Sequence, residues 1–477
     1  MMLTNYYANT HVRARMLEFL GGSSLENATS VYITGEDSSP DVWFTPRPLG
    51  DLWRCLDEGF DVGRSLWDRR SLVAHLDIEY VNFDFPAAPY IDPVRAFDLQ
   101  RPVVDAVQEV LLAYGIAPLH VLTGRGHHFV WRIDRHSIAF ESLAKFGRLP
   151  ASLRARNAQP QPPNGETVEP KLGAAFAGLG QVLEYVAHRV LQRSATECEI
   201  PVMFTAVEAG GNGRGREVIS IDLSEYGDPL HTRGMRIPFS AYLKPQQQRW
   251  KLGDVVDQIP PLFLIPLHEM DERQGLLAMR DIGQVVEIAQ QASVQIPDQS
   301  AGSESLVSAY TASRLADWHE FFYSQEHDPC ERWAATYDCT PLESLPVCAR
   351  VILEQPNELL LKPAAIQHIV RILLAVGWHP RHIAGLIRSK YERDYGWGDK
   401  WFLYDASARA DFYTRLFAGL IATGLDDLVD LNCRSCQEKR YCPAHQCDNN
   451  LSGFKSLLLA RRTATSRFGP LHSESAV

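Results

Sequence analysis

The chain has 477 residues, of which 45% are hydrophobic and 22% charged. This is the composition of an ordinary globular protein with room for two to four domains, without internal repeats or long low-complexity tracts. No apolar run approaches the ~20 residues a membrane-spanning helix needs. The start lacks a basic stretch followed by a hydrophobic one, so a cytoplasmic protein without membrane association is the expectation. The formal charge of -11 argues against a uniformly basic surface for nucleic acid. A local basic channel stays open: residues 210–244 carry Arg214, Arg216, Arg233, Arg236 and Lys244 against four acidic residues.

Residues 1–70 mix aromatics with Gly, Ser and Asp breaks and carry no identifiable motif. From 71 to 265 strand-like and helix-like segments alternate. A strand over 72–80 precedes a helix opening at Asp92-Pro93, because Asp caps well and Pro is favoured in the first turn. Val104, Val107, Leu111 and Tyr114 keep helical spacing up to Gly115. Strands over 119–123 and 127–132 flank a Gly-Arg-Gly turn, 148–170 reads as loop, and a helix spans 172–193. Strands near 201–208 and 217–224 flank a Gly-rich loop. The span 266–306 is a connecting segment, with 291–306 polar and aperiodic and therefore read as a linker. Residues 307–460 are helical, with apolar stripes over 363–377, 380–391 and 407–423. A disordered tail is expected over 461–477.

Three strand-like segments carry polar residues on alternate positions: His75-Leu-Asp77-Ile-Glu79-Tyr80, Thr123-Gly-Arg-Gly-His-His128-Phe-Val-Trp131 and Ser220-Ile-Asp222-Leu-Ser224. In the first, Leu76, Ile78 and Tyr80 face one way while Asp77 and Glu79 face the other. A strand with one buried face and carboxylates on the other is costly unless a cation meets the charges. Two carboxylates two residues apart, with a third from a distant strand, can hold two divalent metals about 4 Å apart. Singly, each motif also fits a solvated strand face or a hairpin turn. One site explains all of them in order.

These motifs resemble those of the archaeo-eukaryotic primase superfamily of small primase subunits and primase-polymerases. Asp77-Ile78-Glu79 matches the family's Asp-hydrophobic-Asp/Glu motif. Thr123-Gly124-Arg125-Gly126-His127-His128 matches its small residue, Gly and His, and Ile221-Asp222 matches its hydrophobic-Asp strand. Arg233-Gly-Met-Arg236-Ile-Pro238-Phe-Ser240, followed by Lys244, is similar to the basic run that follows. The resemblance covers about residues 70–250. It implies an α+β protein whose RRM-like primase-polymerase core has a mixed, mostly antiparallel sheet, followed by an all-α Cys-rich metal-binding domain. It further implies that Asp77, Glu79 and Asp222 bind two Mg²⁺ or Mn²⁺ ions, hard cations that take oxygen ligands. His128 would contact nucleotide phosphates. Gly124 and Gly126 would let backbone N–H groups approach those phosphates. Arg233, Arg236, Ser240 and Lys244 would hold triphosphate or template.

Of nine Cys, seven lie between Cys330 and Cys447, and four of these fall in the fifteen residues ending at Cys447. Such clustering in an intracellular chain points to metal rather than disulfides. Cys433, Cys436, Cys442 and Cys447 suffice for a Zn²⁺ knuckle. Alternatively, Pro346-Val-Cys348 with Cys433, Cys442 and Cys447 resembles the iron–sulfur domain of the primase large subunit, which implies a [4Fe–4S] cluster. That family's pattern lacks a Cys at Cys436. Arg371, Arg381, Arg388 and Lys390 would then be candidates to grip nucleic acid.

The activity so implied is a DNA-directed primase-polymerase, a nucleotidyltransferase acting on single-stranded DNA template with NTPs or dNTPs. The alternatives are a catalytically silent nucleic-acid-binding protein in repair or defence, and a metal-dependent nuclease. No helicase motif is present, so duplex opening would need a helicase or other replication, repair or defence proteins as partners.

Overall fold

The computed structural model describes residues 3–36, 45–205, 216–354, 356, 358–393, 404–442 and 451–464. Ten strands among them are β1 (Ile33–Glu36), β2 (Pro46–Arg47), β3 (Asp61–Ser65), β4 (Ser71–Asn82), β5 (Leu119–Leu122), β6 (Gly126–Asp134), β7 (Val202–Phe204), β8 (Glu217–Asp222), β9 (Gly234–Arg236) and β10 (Ile265–Pro266). The protein is α+β. No helix among the described residues is long and apolar enough to cross a membrane.

The larger sheet has the order β10-β5-β6-β4-β8-β7. Every pairing in it is antiparallel except β7 with β8. Its centre is the succession β4, helix Pro93–Ala113, β5, β6, helix Pro170–Ser194, β8. Both helices pack on β4. The reason is the alternation seen in the sequence: Leu76, Ile78 and Tyr80 are fully buried. Asp92 caps the first helix by accepting from the Arg95 N–H, and Pro93 occupies its first turn.

The second sheet, β2-β1-β3-β9, assigns a place to residues 1–70 that no motif foretold. It pairs β3 with β9, so Gly63 stands opposite Arg236. Two further expectations are corrected. The 291–306 segment is not a free linker: Arg132 on β6 donates its N–H to the Pro297 carbonyl, and a helix covers Ser300–Thr311. Trp131 donates its ring N–H to Ser303 at 3.2 Å, and Ala292, Val294 and Ile296 are buried. The 148–170 loop contains the short helix Ala151–Asn157, which packs on Pro170–Ser194.

The helical stripes read over 363–377, 380–391 and 407–423 form helices Pro363–Ala375, Pro380–Tyr391 and Ala406–Thr423. Gly424 ends the last in the left-handed conformation, with φ 83°. That helix packs on the turn Ser224–Gly227 directly after β8. A Cβ on Gly227 would lie 2.6 Å from the Phe412 ring, so glycine permits the approach. Helix Leu451–Ala464 runs into the tail expected to be disordered from 461, a correction; the rest of that tail and the Gly-rich loop bearing Arg214 lie outside the described residues.

Candidate active site

Strand register sets the site. On β4, Asp77 pairs with Asp222 of β8 on one side and with His128 of β6 on the other. One row across three strands therefore presents two carboxylates and an imidazole to the same face. The next row pairs Glu79 with Ser220 and Gly126. A Cβ on Gly126 would fall 1.9 Å from the Ile78 carbonyl oxygen, so this position takes no side chain. The glycine's role is close strand approach rather than a phosphate cradle. Gly124 likewise lies under the Tyr242 ring, 2.5 Å from an added Cβ.

Asp77, Glu79 and Asp222 each offer an oxygen within 4.8 Å of the others. The Oδ1 of Asp77 is buried and has no hydrogen-bond partner among the described residues. His128 Nε2 stands 3.6 Å from it. Burial, then the neighbouring Glu79 charge, pushes the Asp77 carboxyl well above its usual range. The same two causes raise Asp222. Glu79 behaves oppositely. Burial pushes it up, but Arg125 and Lys244 outweigh burial and hold it well below the usual range. Arg125 is ion-paired to one of its oxygens, and Lys244 Nζ lies 3.3 Å from the other.

Asp77 and Asp222 open on a cavity of about 260 Å³ between the two sheets. One wall is His75, Asp77, His128 and Asp222; the facing wall includes Thr34, Glu36, Asp61, Gly63 and Arg236. Arg233 and Tyr404 also line it. Arg236 is held by Asp61, with Nε 3.0 and 3.1 Å from its oxygens. Arg233 is ion-paired with fully buried Asp228, which also receives Arg409 at 3.3 Å. Burial, then Asp61, pushes the Glu36 carboxyl up to about 7. His128, by burial and the adjacent His75, is held well below the usual histidine range and is neutral. His75 donates its Nδ1–H to Glu225 at 2.9 and 3.0 Å. Its Nε2 is buried and without a hydrogen-bond partner among the described residues.

The structure thus brings Asp77, Asp222, His128, Arg233 and Arg236 to one cavity. Glu79, Gly124, Gly126, Ser240 and Lys244 do not line it. Ser240 is buried and donates its hydroxyl to the Ile237 carbonyl at 2.7 Å, so no ligand hydrogen bond is left for that proton. Lys244 serves Glu79. Sequence reasoning missed Thr34, Glu36, Asp61 and Gly63, whose only signal was two short strands, one of which pairs with the basic run. It also missed Glu225 and Tyr404.

In the helical region, Cys348, His368 and Cys436 converge, all buried. Cys433 is exposed and outside this group, and Cys447 lies outside the described residues. Arg371 and Arg381 do not face solvent. Arg371 is buried in ion pairs with Asp426 and Asp430 at 2.7 Å, and Arg381 pairs with Asp411 at 2.5 Å. No protein-family model, curated protein or solved structure matches the chain.

Proposed function

We propose that this chain is a DNA-directed primase-polymerase that joins nucleotides from NTPs or dNTPs on single-stranded DNA. The observation that carries the reading is the Asp77–Asp222 pair: two adjacent, half-buried, mutually repelling carboxylates, one with an orphaned buried oxygen, facing a cavity rimmed by arginines. Such an arrangement is unfavourable alone and fits a divalent cation. The succession strand-helix-strand-strand-helix-strand, with β4 and β6 central in the order β5-β6-β4-β8, supports an RRM-like core.

Asp77 and Asp222, with Glu79 beside them, would hold Mg²⁺ or Mn²⁺. The bound metal would lower the pKa of an attacking 3′-hydroxyl and neutralise the leaving pyrophosphate. Arg236 and Arg233 present guanidinium groups suited to paired phosphate oxygens. Each is pre-set by its own carboxylate, so little side-chain entropy remains to be lost on binding. Neutral His128 offers an N–H or a lone pair beside Asp77 without adding positive charge. Neighbouring Arg125 and Lys244 keep Glu79 ionised.

The test is synthesis on single-stranded template with labelled NTPs and dNTPs and Mn²⁺ or Mg²⁺, beside Asp77→Asn/Asp222→Asn. Labelled oligonucleotides made by the wild type and lost in the variant support the proposal. Tight DNA binding without synthesis would instead favour a silent binding protein, and metal-dependent loss of the template would favour a nuclease.

A further inference from the structure

The iron–sulfur set suggested by resemblance was Cys348, Cys433, Cys442 and Cys447. The described residues do not assemble it. Cys433 is exposed on the first turn of helix Cys433–Glu438, whereas Cys436, one turn on, is buried and faces Cys348 and His368. His368 was in neither sequence-based ligand set. Its Nε2 lies 3.2 Å from Cys348 Sγ, and its Nδ1 lies 4.0 Å from Cys436 Sγ. Ligand atoms of the three residues all lie within 4.8 Å of one another.

That spacing discriminates between metals. Zn–S bonds of about 2.3 Å and Zn–N bonds of about 2.0 Å in a tetrahedron place ligand atoms roughly 3.5–3.8 Å apart. A cubane cluster instead binds each thiolate to a different iron, with the whole cluster between them, and needs a wider opening. Three helices supply the three groups: Val347–Glu354, Pro363–Ala375 and Cys433–Glu438. After the last, the chain turns back: the N–H groups of Tyr441 and Cys442 both donate to the Cys436 carbonyl, at 2.8 and 3.3 Å. This turn places half-buried Cys442 directly after the Cys436 carbonyl contact, outside the group of three whose ligand atoms lie within 4.8 Å of one another.

We infer that Cys348, His368 and Cys436, with Cys442 as fourth ligand, form a structural Zn²⁺ site that fastens three helices of the helical region. A four-ligand protein set leaves no open position, as in a structural rather than catalytic site. The imidazole also explains why a thiol at Cys433 is dispensable to the group.

The full chain, purified anaerobically without chelators, is assayed for zinc and iron by elemental analysis and for visible absorbance. About one Zn²⁺ per chain is expected, without iron–sulfur colour. His368→Gln and Cys436→Ser should lose most of the zinc, while Cys433→Ser retains it. Replacement by Co²⁺ should give thiolate-to-cobalt charge-transfer absorption, which the Asp77/Asp222 carboxylates cannot produce. The wild-type count and cobalt spectrum stand even if a variant fails to fold. Stoichiometric iron with cluster absorbance, a metal-free thiol group, or zinc lost from Cys433→Ser but kept in His368→Gln would overturn the inference. None of these readouts depends on nucleotide transfer, so the result stands apart from the proposed activity.

Discussion

Arg233 and Arg409 meet on one carboxylate. Arg233 lines the cavity, Arg409 belongs to helix Ala406–Thr423, and fully buried Asp228 holds both. The helical region is therefore joined to the cavity by charge as well as by apolar packing, and Tyr404, stacked over Arg409 with its ring 4.4 Å from the guanidinium carbon, completes the rim.

Asp228→Asn keeps the shape of the side chain but removes the charge that holds Arg233 in place. The expected outcome is a nucleotide KM raised about tenfold, equivalent to ~1.4 kcal/mol, with kcat changed less. The decisive comparison is Arg233→Ala: an unmoved KM in Asp228→Asn beside a raised KM in Arg233→Ala would show that Arg233 does not depend on Asp228 for its position.

The Asp77–Asp222 pair predicts a metal-dependent melting temperature. Without divalent cation the two half-buried carboxylates repel, so Asp77→Asn should melt at or above the wild type. With Mn²⁺ the wild type should gain and the variant should not. Synthesis should fall by more than the roughly 10–100-fold that outer-shell changes cost, because a direct ligand is lost. A wild type whose melting ignores Mn²⁺ would count against a metal at these carboxylates.

Much of this site was legible because it rests on period-two alternation. Asp77 and Glu79 had to share a face once Leu76, Ile78 and Tyr80 were buried, and Asp222 followed from the same rule on β8. What alternation cannot give is cross-strand register. That Asp77 stands opposite both Asp222 and His128 is fixed by long-range pairing, and so is the cation pair that claims Glu79. The wall bearing Glu36 and Asp61 was illegible because β1 and β3 are short, and the β9 strand that pairs with β3 lies far along the chain. Likewise, 291–306 was read as linker from its polar composition, although Ala292, Val294 and Ile296 are buried at alternate positions with exposed Ser293 and Gln295 between them. Cys436 and His368 were passed over for a related reason: their convergence depends on how three helices cross, which spacing along the chain does not encode.

Gly126 offers a direct test of register. Because an added Cβ would meet the Ile78 carbonyl at 1.9 Å, Gly126→Ala forces β6 away from β4 next to His128. Overpacking of this kind costs about 1–3 kcal/mol. The displaced His128 should lower synthesis, while Gly50→Ala, where a Cβ meets nothing within 4 Å, should leave both unchanged. Urea denaturation alongside the primer assay measures both effects. A fully stable, fully active Gly126→Ala would mean that the strands are not held this closely.

Glu184, fully buried on helix Pro170–Ser194, receives Arg415 at 3.0 Å and His319 at 3.1 Å. Burial alone would push its carboxyl up; Arg415, then His319, outweigh burial and hold it at about 2. An unfolded glutamate titrates near 4.5, so between these values the unfolded chain binds the proton more tightly. The stabilisation from Glu184 is therefore complete above pH 4.5 and lost as pH falls toward 2. Removing one partner of a buried ion pair costs about 3–5 kcal/mol, so Glu184→Gln should be roughly 3 kcal/mol less stable at pH 7, with the gap narrowing by pH 3. Urea titrations of both proteins at the two pH values measure it. An equal gap at both would mean that the Glu184 charge contributes nothing and that its packing accounts for the difference.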